Sequence, residues 1–314
     1  VSARRSLPAA TCSPCLPWRA LATIAAVAAA GCQIPDHHLI YPPERPPGVI
    51  GWADEVERGN LAVHLEWAKP LGCGLFPTVL VHPEAGKTAK AMRGVIWDLA
   101  ARGYVAVAAD YRRRIEGDWR RNTFPWRSHA DVLVALDLVT AQPFVDRSRV
   151  ATLGFSQGGI FGLLIAAHAP ERVRAVVAYY PVTDFEHWFD HTERPNPIER
   201  LVYRVIRWHF YRESGAASEQ AFLAMLHEAS PLRHAERIRA PVLLVHGDED
   251  RAAGVEESRR LYERLAALGR EVRLLVVPGG VHIFNFRQPA QAVYAWRETL
   301  DWLERHLRIG PGNE

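Results

Sequence analysis

Three side chains in this 314-residue chain have the types and settings from which nucleophilic catalysis is built: Ser156, Asp250 and His282. Ser156 is the apex of Gly154-Phe155-Ser156-Gln157-Gly158-Gly159, between the apolar run 149–153 and the apolar helical stretch 160–169. Strand, sharp turn and helix in that order make a nucleophile elbow, with glycines on both sides so that strand and helix approach closely. A serine hydroxyl is a weak nucleophile. It needs an adjacent base, and the base needs a group to orient it. His282 follows the expected strand 272–277 and is the candidate base. Asp250, in His246-Gly247-Asp248-Glu249-Asp250 after the expected strand 242–245, is the candidate orienter. Asp248 is the competing acid, its other reading being a side chain that caps the turn. The developing oxyanion needs backbone donors. One is Gln157, at a helix start where N–H groups are free. Pro83 has no N–H, so in the loop after strand 78–81 the second donor falls to Glu84 or Ala85.

The elements that must hold these residues can be read from periodicity. Expected strands at 78–81, 104–109, 149–153, 175–180, 242–245 and 272–277 alternate with helical stretches at 88–102, 128–140, 160–169, 255–268 and 289–307. This alternation predicts a mostly parallel central sheet flanked by helices on both faces. Each chemistry-bearing residue lies just past the carboxyl end of a strand, where sites assemble in such sheets. Two further strands are expected near 53–57 and 60–68; in the second, Leu61, Val63, Leu65 and Trp67 alternate as on a half-buried edge. His64 is expected at the surface.

Segment 184–231 is too long for an ordinary connection and holds Phe185, Trp188, Phe189, Tyr203, Trp208, Phe210, Tyr211 and Phe222. It is expected to be a helical cap insertion, with Trp188, Trp208 and Phe189 contacting substrate. At helical spacing Leu201, Val205 and Trp208 share a stripe beside Arg200, Arg204 and Arg207, and this stripe is expected to face the site. A second basic cluster, Arg112, Arg113, Arg114, Arg120 and Arg121 with Trp119 and Trp126, is expected to be a solvated loop pairing with Asp110, Glu116 and Asp118.

With 48% hydrophobic and 23% charged residues the chain can bury a large core. The formal charge of +3 comes from Arg4, Arg5 and Arg19, in a first stretch of 31 residues without an acid. The balanced remainder gives no support for nucleic-acid binding. Cys12, Cys15 and Cys32 lie near the start, and Cys73 alone in the body offers no disulfide framework. The apolar run 20–30 suits a signal-peptide core and is too short to span a bilayer. It ends in Ala29-Ala30-Gly31-Cys32, which resembles a bacterial lipobox and implies lipidation at Cys32. The expected organisation is a targeting segment 1–31, a Pro-rich tether 32–47 and a catalytic domain 48–310 with its cap at about 184–231. An exported, periplasmic or membrane-anchored protein is expected. His37, His38 and the other histidines lack metal-ligand spacing, so no metal is expected, and the chemistry needs no cofactor.

Two longer stretches, 230–250 leading to the acid and 146–150 leading to the elbow, resemble the dienelactone-hydrolase and prolyl-oligopeptidase-like group of the α/β-hydrolases. The resemblance covers 48–307 and implies the α/β-hydrolase fold, with Ser156, Asp250 and His282 as its triad. Glu84 stands like the glutamate that contacts the nucleophile in dienelactone hydrolases. His82-Pro83-Glu84 replaces the common His-Gly-Gly oxyanion loop, and Val281 replaces the usual glycine before the histidine. The expected function is hydrolysis of short-chain or aryl carboxylic esters, small-molecule substrates, through an acyl-enzyme. The alternatives are a serine exopeptidase of acylaminoacyl-peptidase type and, from another class, a lipid-anchored binding protein without turnover.

Overall fold

The computed structural model describes residues 39–58, 61–111, 125–190 and 196–308, with backbone alone at 58, 61–62, 111 and 125–131. The targeting segment, Cys32, His37, His38 and the arginine cluster around Trp119 lie outside the described residues, and Trp126 is described only in its backbone.

Eight strands form one sheet: β1 (Val49–Arg58), β2 (Leu61–Pro70), β3 (Phe76–His82), β4 (Val105–Tyr111), β5 (Val145–Phe155), β6 (Ala175–Tyr179), β7 (Val242–Gly247) and β8 (Val272–Val277). Their spatial order is β1-β2-β4-β3-β5-β6-β7-β8. The first two strands and the β2–β4 pair are antiparallel, and the pairings from β4 through β8 are parallel. β2 therefore lies inside the sheet and not at its edge. Its Val63, Leu65 and Trp67 are buried, and buried Glu66 is held by the Arg93 guanidinium at 3.0 Å. His64 is half-buried between Glu55 and Glu66.

The central strands β3, β5, β6 and β7 carry continuous buried runs, as a parallel sheet covered on both faces requires. The covering helices are α1 (Arg93–Ala101), α2 (Pro125–Thr140), α3 (Gln157–His168), α7 (Glu256–Ala267) and α8 (Pro289–Leu307). α1 is preceded by a 3-10 turn, Ala89–Met92, within the stretch expected to be one helix. α3 is buried from Gln157 to Ala167, so it is apolar all round. The chain winds from β3 outward to β4 and back across β3 to β5. The loops after β3 and β5 flank this reversal, where an open α/β sheet leaves a crevice.

Between β6 and β7 lie three helices: α4 (Phe185–Phe189), α5 (Pro197–Ser214) and α6 (Glu219–Glu228). Side-chain oxygens of Asp184, Asn196 and Ser218 accept first-turn N–H groups at their starts, and Gly215, at φ 73°, ends α5 in the left-handed conformation. Phe185, Phe189, Phe210, Phe222 and Leu226 form a core with Ile160 and Leu164 of α3, which seats the insertion on the nucleophile helix. Its root is fastened by Glu257 of α7. That buried carboxylate accepts from the backbone N–H of Thr183 (2.8 Å) and Asp184 (2.9 Å) and from His187 Nδ1 (2.6 Å).

Candidate active site

Ser156 occupies the turn between β5 and α3 at φ 52°, a conformation a non-glycine residue adopts only when its surroundings impose it. The Ser156 N–H is tied to the Tyr179 carbonyl (2.9 Å), and its carbonyl accepts from Gly159 N (2.9 Å). A Cβ on Gly154 would overlap the Gly158 carbonyl, and one on Gly158 would overlap the His82 carbonyl. The two glycines of the elbow are therefore required by close backbone approach.

The histidine and acid loops meet in the same way. Gly247 and Gly280 pack backbone to backbone, and Glu249 N donates to the Gly280 carbonyl at 3.0 Å. Gln288 braces the histidine loop from both sides, accepting from Val281 N (3.0 Å) and donating to the Gly279 carbonyl (2.9 Å). His282 Nδ1 donates to Asp250 Oδ2 at 2.6 Å, and His282 Nε2 accepts from Ser156 Oγ at 3.1 Å. The three residues expected to act together are brought together. Asp248 does not share in this: its exposed carboxylate accepts from Gly279 N at 2.7 Å, which is the turn-capping role.

Asp250 is buried. Its Oδ1 accepts from the N–H groups of Ala252 (2.8 Å) and Ala253 (2.9 Å). Burial alone would raise its carboxyl. The His282 charge and hydrogen bonds from His246 and His282 outweigh burial and hold it well below the usual carboxylate range. His246 was not singled out from the sequence. It is fully buried, donates through Nε2 to the Ala253 carbonyl (2.6 Å), meets Ser258 Oγ through Nδ1 (2.7 Å), and lies 3.4 Å from Asp250 Oδ2. Its place four residues before the acid was the signal available. Tyr180 packs against the His282 ring at 4.8 Å, and its hydroxyl donates to Asn285 Oδ1. Burial first, and then the Glu84 charge, push its pKa far up, so it remains a donor.

The loop after β3 lies against the elbow, with the His82 and Pro83 carbonyls facing Gly158. Candidate donors Gln157, Glu84 and Ala85 thus belong to two segments in contact. Gln157 and Glu84 are buried and Ala85 is half-buried.

The expected substrate-binding aromatics are placed differently. Phe189 is spent in the core between cap and α3. Trp208 is 56% exposed, stacked under Arg212, and lines an open groove of about 390 Å³ with Arg204, Arg207, Tyr211 and Glu219. The stripe Leu201–Val205–Trp208 faces solvent; Tyr203 and Phe210 are the buried side of α5. The reason lies in what anchors the inner side: Phe210 packs with Phe185 and Phe189 in the core that reaches α3, and Tyr203 packs on Trp188, which leaves the Leu-Val-Trp row outside. Trp188 donates from Nε1 to the Ala252 carbonyl (2.7 Å), which also accepts from the Tyr203 hydroxyl (2.7 Å). Trp188 therefore holds the acid loop. No ligand spacing was visible in the sequence, yet His168, Glu228 and His234 converge at the base of the cap.

A serine, a histidine and a buried acid in hydrogen-bonded series can carry out acyl transfer. The model of the prolyl oligopeptidase family matches residues 91–310. Acylamino-acid-releasing enzyme 2 of Oryza sativa subsp. japonica is 26% identical over 180 residues, which is 57% of this chain and 22% of the rice protein. The uncharacterized peptidase YtmA of Bacillus subtilis is 26% identical over 211 residues, 67% of this chain and 76% of its own. Among solved structures, acetyl xylan esterase 1 of a Thermoanaerobacterium species superimposes with a TM-score of 0.66 at 20% identity, covering 85% of this chain and 87% of the esterase. The chain is a serine hydrolase of α/β-hydrolase fold, and it belongs to the prolyl oligopeptidase family.

Proposed function

We propose that this serine hydrolase cleaves carboxylic esters of small acyl or aryl groups through an acyl-enzyme on Ser156. The observation that carries the reading is the hydrogen-bonded series Ser156–His282–Asp250, at 3.1 and 2.6 Å. His282 takes the Ser156 proton as Oγ attacks the carbonyl carbon and then delivers it to the departing alkoxide. Water repeats the sequence to release the acid. Asp250, ionised, stabilises the imidazolium. Gln157 N–H and a donor from Glu84 or Ala85 receive the oxyanion. Small groups are favoured because Phe185, Phe189 and Phe210 are used in the cap's own packing and are not free to line a greasy channel.

A second reading is supported by the names of the sequence relatives, an acylamino-acid-releasing enzyme and a peptidase. There the same steps release an amine, which His282 must protonate. Comparing kcat/KM on nitrophenyl acetate to hexanoate, long-chain emulsions and N-acyl-aminoacyl nitroanilides decides. The ester reading expects the short esters to lead; leading nitroanilides would replace it by the peptidase reading, and leading emulsions would remove the size preference.

The lipobox-like 29–32 supports export with a lipid on Cys32. The protein expressed from its full gene in a diderm bacterium then fractionates with membranes, and Cys32→Ser releases it or blocks processing. An unmodified, uncleaved N-terminus in the mass spectrum defeats the idea.

A further inference from the structure

Away from Ser156, three ligand-type side chains from three elements meet where the cap joins the body. His168 ends α3, the helix that Ser156 begins; Glu228 ends α6; His234 lies in the 3-10 turn Pro231–Arg237 leading back to β7. Their ligand atoms all lie within 4.8 Å of one another. His168 Nε2 is 3.5 Å from Glu228 Oε1, and His234 Nε2 is 3.9 Å from Glu228 Oε2. The two imidazole rings are 5.2 Å apart.

We propose that His168, Glu228 and His234 form a binding site for one divalent transition ion of the zinc type, with water as the fourth ligand. The donor set is the first argument. Two imidazoles and one carboxylate suit zinc and its neighbours, whereas magnesium and calcium select all-oxygen sites.

The tautomer is the second argument. His168 Nδ1 lies 2.9 Å from the Leu164 carbonyl, which can only accept, so Nδ1 carries the proton and the lone pair is on Nε2, the atom facing Glu228. A second ring nitrogen donating to a backbone carbonyl is the outer-shell arrangement that orients metal-bound histidines.

Distance is the third. Bonds of about 2.0–2.2 Å place the ligand atoms of a tetrahedral ion roughly 3.3–3.6 Å apart. The His168–Glu228 separation already fits. The rest closes by side-chain rotation of Glu228, whose side chain is 60% exposed, and by His234 giving up the hydrogen bond that its Nε2 donates to the Glu228 carbonyl (3.0 Å), with the ring proton moving to Nδ1 so that Nε2 can ligate. A bound ion ties the far end of the nucleophile helix to the base of the cap.

The test uses the full chain stripped with chelator and titrated with Zn²⁺ by calorimetry and with Co²⁺ by absorption. The site takes one ion, and Co²⁺ shows tetrahedral ligand-field bands without the near-ultraviolet thiolate band that Cys12, Cys15, Cys32 or Cys73 would produce. Outer-shell partners alone are worth about 10–100-fold in affinity, so Glu228→Gln and His168→Gln each weaken binding at least about tenfold. Zn²⁺ at about a hundred times Kd raises the wild-type Tm by about 5 °C and leaves that of Glu228→Gln nearly unmoved. The proposal is overturned if neither ion binds, if affinity is unchanged in both variants, or if the cobalt spectrum is that of thiolates. Should His168→Gln fail to fold, exposed Glu228→Gln decides alone.

Discussion

Burial would neutralise the Asp250 carboxyl if nothing opposed it; His282, His246 and two backbone N–H groups do. Its folded value is depressed, so its ionisation stabilises the fold above the unfolded carboxylate value of about 3.9 and that contribution is lost as pH falls below it. The Tm difference between wild type and Asp250→Asn should be largest above about pH 5 and shrink toward pH 2; a difference constant with pH would contradict this. In turnover, Ser156→Ala should leave the fold intact and cost roughly 10⁴-fold or more, and Asp250→Asn several orders of magnitude. Asp248→Asn should cost far less, because the Asp248 carboxylate reaches only the Gly279 N–H. An inactive Asp248 variant beside an active Asp250 variant would reverse the assignment of the acid.

At the scale of elements, the insertion between β6 and β7 reaches the acid loop. Trp188 of α4 and Tyr203 of α5 both donate to the Ala252 carbonyl, and the Ala252 N–H donates to Asp250. Shifting these helices therefore shifts the acid. Trp188→Phe combined with Tyr203→Phe removes both donors while retaining aromatic bulk. The expected result is a fall in kcat of about tenfold with KM little changed; a KM effect alone would make them substrate contacts. The two faces of the insertion should also separate in stability. Phe222→Ala empties a fully buried site and should cost about 3–5 kcal/mol, whereas exposed Trp208→Ala should stay within about 0.5 kcal/mol in denaturant unfolding. Equal losses would mean that the outer row is packed after all.

For the molecule as a whole, the sheet reversal between β3 and β5 explains why chemistry gathers at one end. The loops after β3, β5, β7 and β8 all emerge at the carboxyl edge, and the insertion after β6 rises from the same edge. The chain spans 22% of the rice enzyme's length and 76% of YtmA's, and the residues that the family model matches, 91–310, contain Ser156, Asp250 and His282. Among the described residues no helix is long and apolar enough to cross a membrane.

The parallel sheet, the elbow and the choice of Ser156, Asp250 and His282 are legible in the residues alone. Each depends on local pattern: β-branched runs for buried strands, glycines where backbones touch, and chemistry-bearing residues just past strand ends. Long-range packing decided the rest. β2 reads as an edge because its alternation records one buried face and says nothing of hydrogen-bonding neighbours. The Leu201–Val205–Trp208 stripe is apolar at helical spacing, but the buried side of α5 is the one whose Phe210 joins the insertion's core and whose Tyr203 packs on Trp188 and bonds the Ala252 carbonyl, partners that helical spacing does not report. The meeting of His168 with Glu228 and His234, and the grip of Trp188 and Tyr203 on the Ala252 carbonyl, join residues that no local spacing connects. Such contacts exist only once the sheet has set its strand order, because that order brings distant segments within bonding distance.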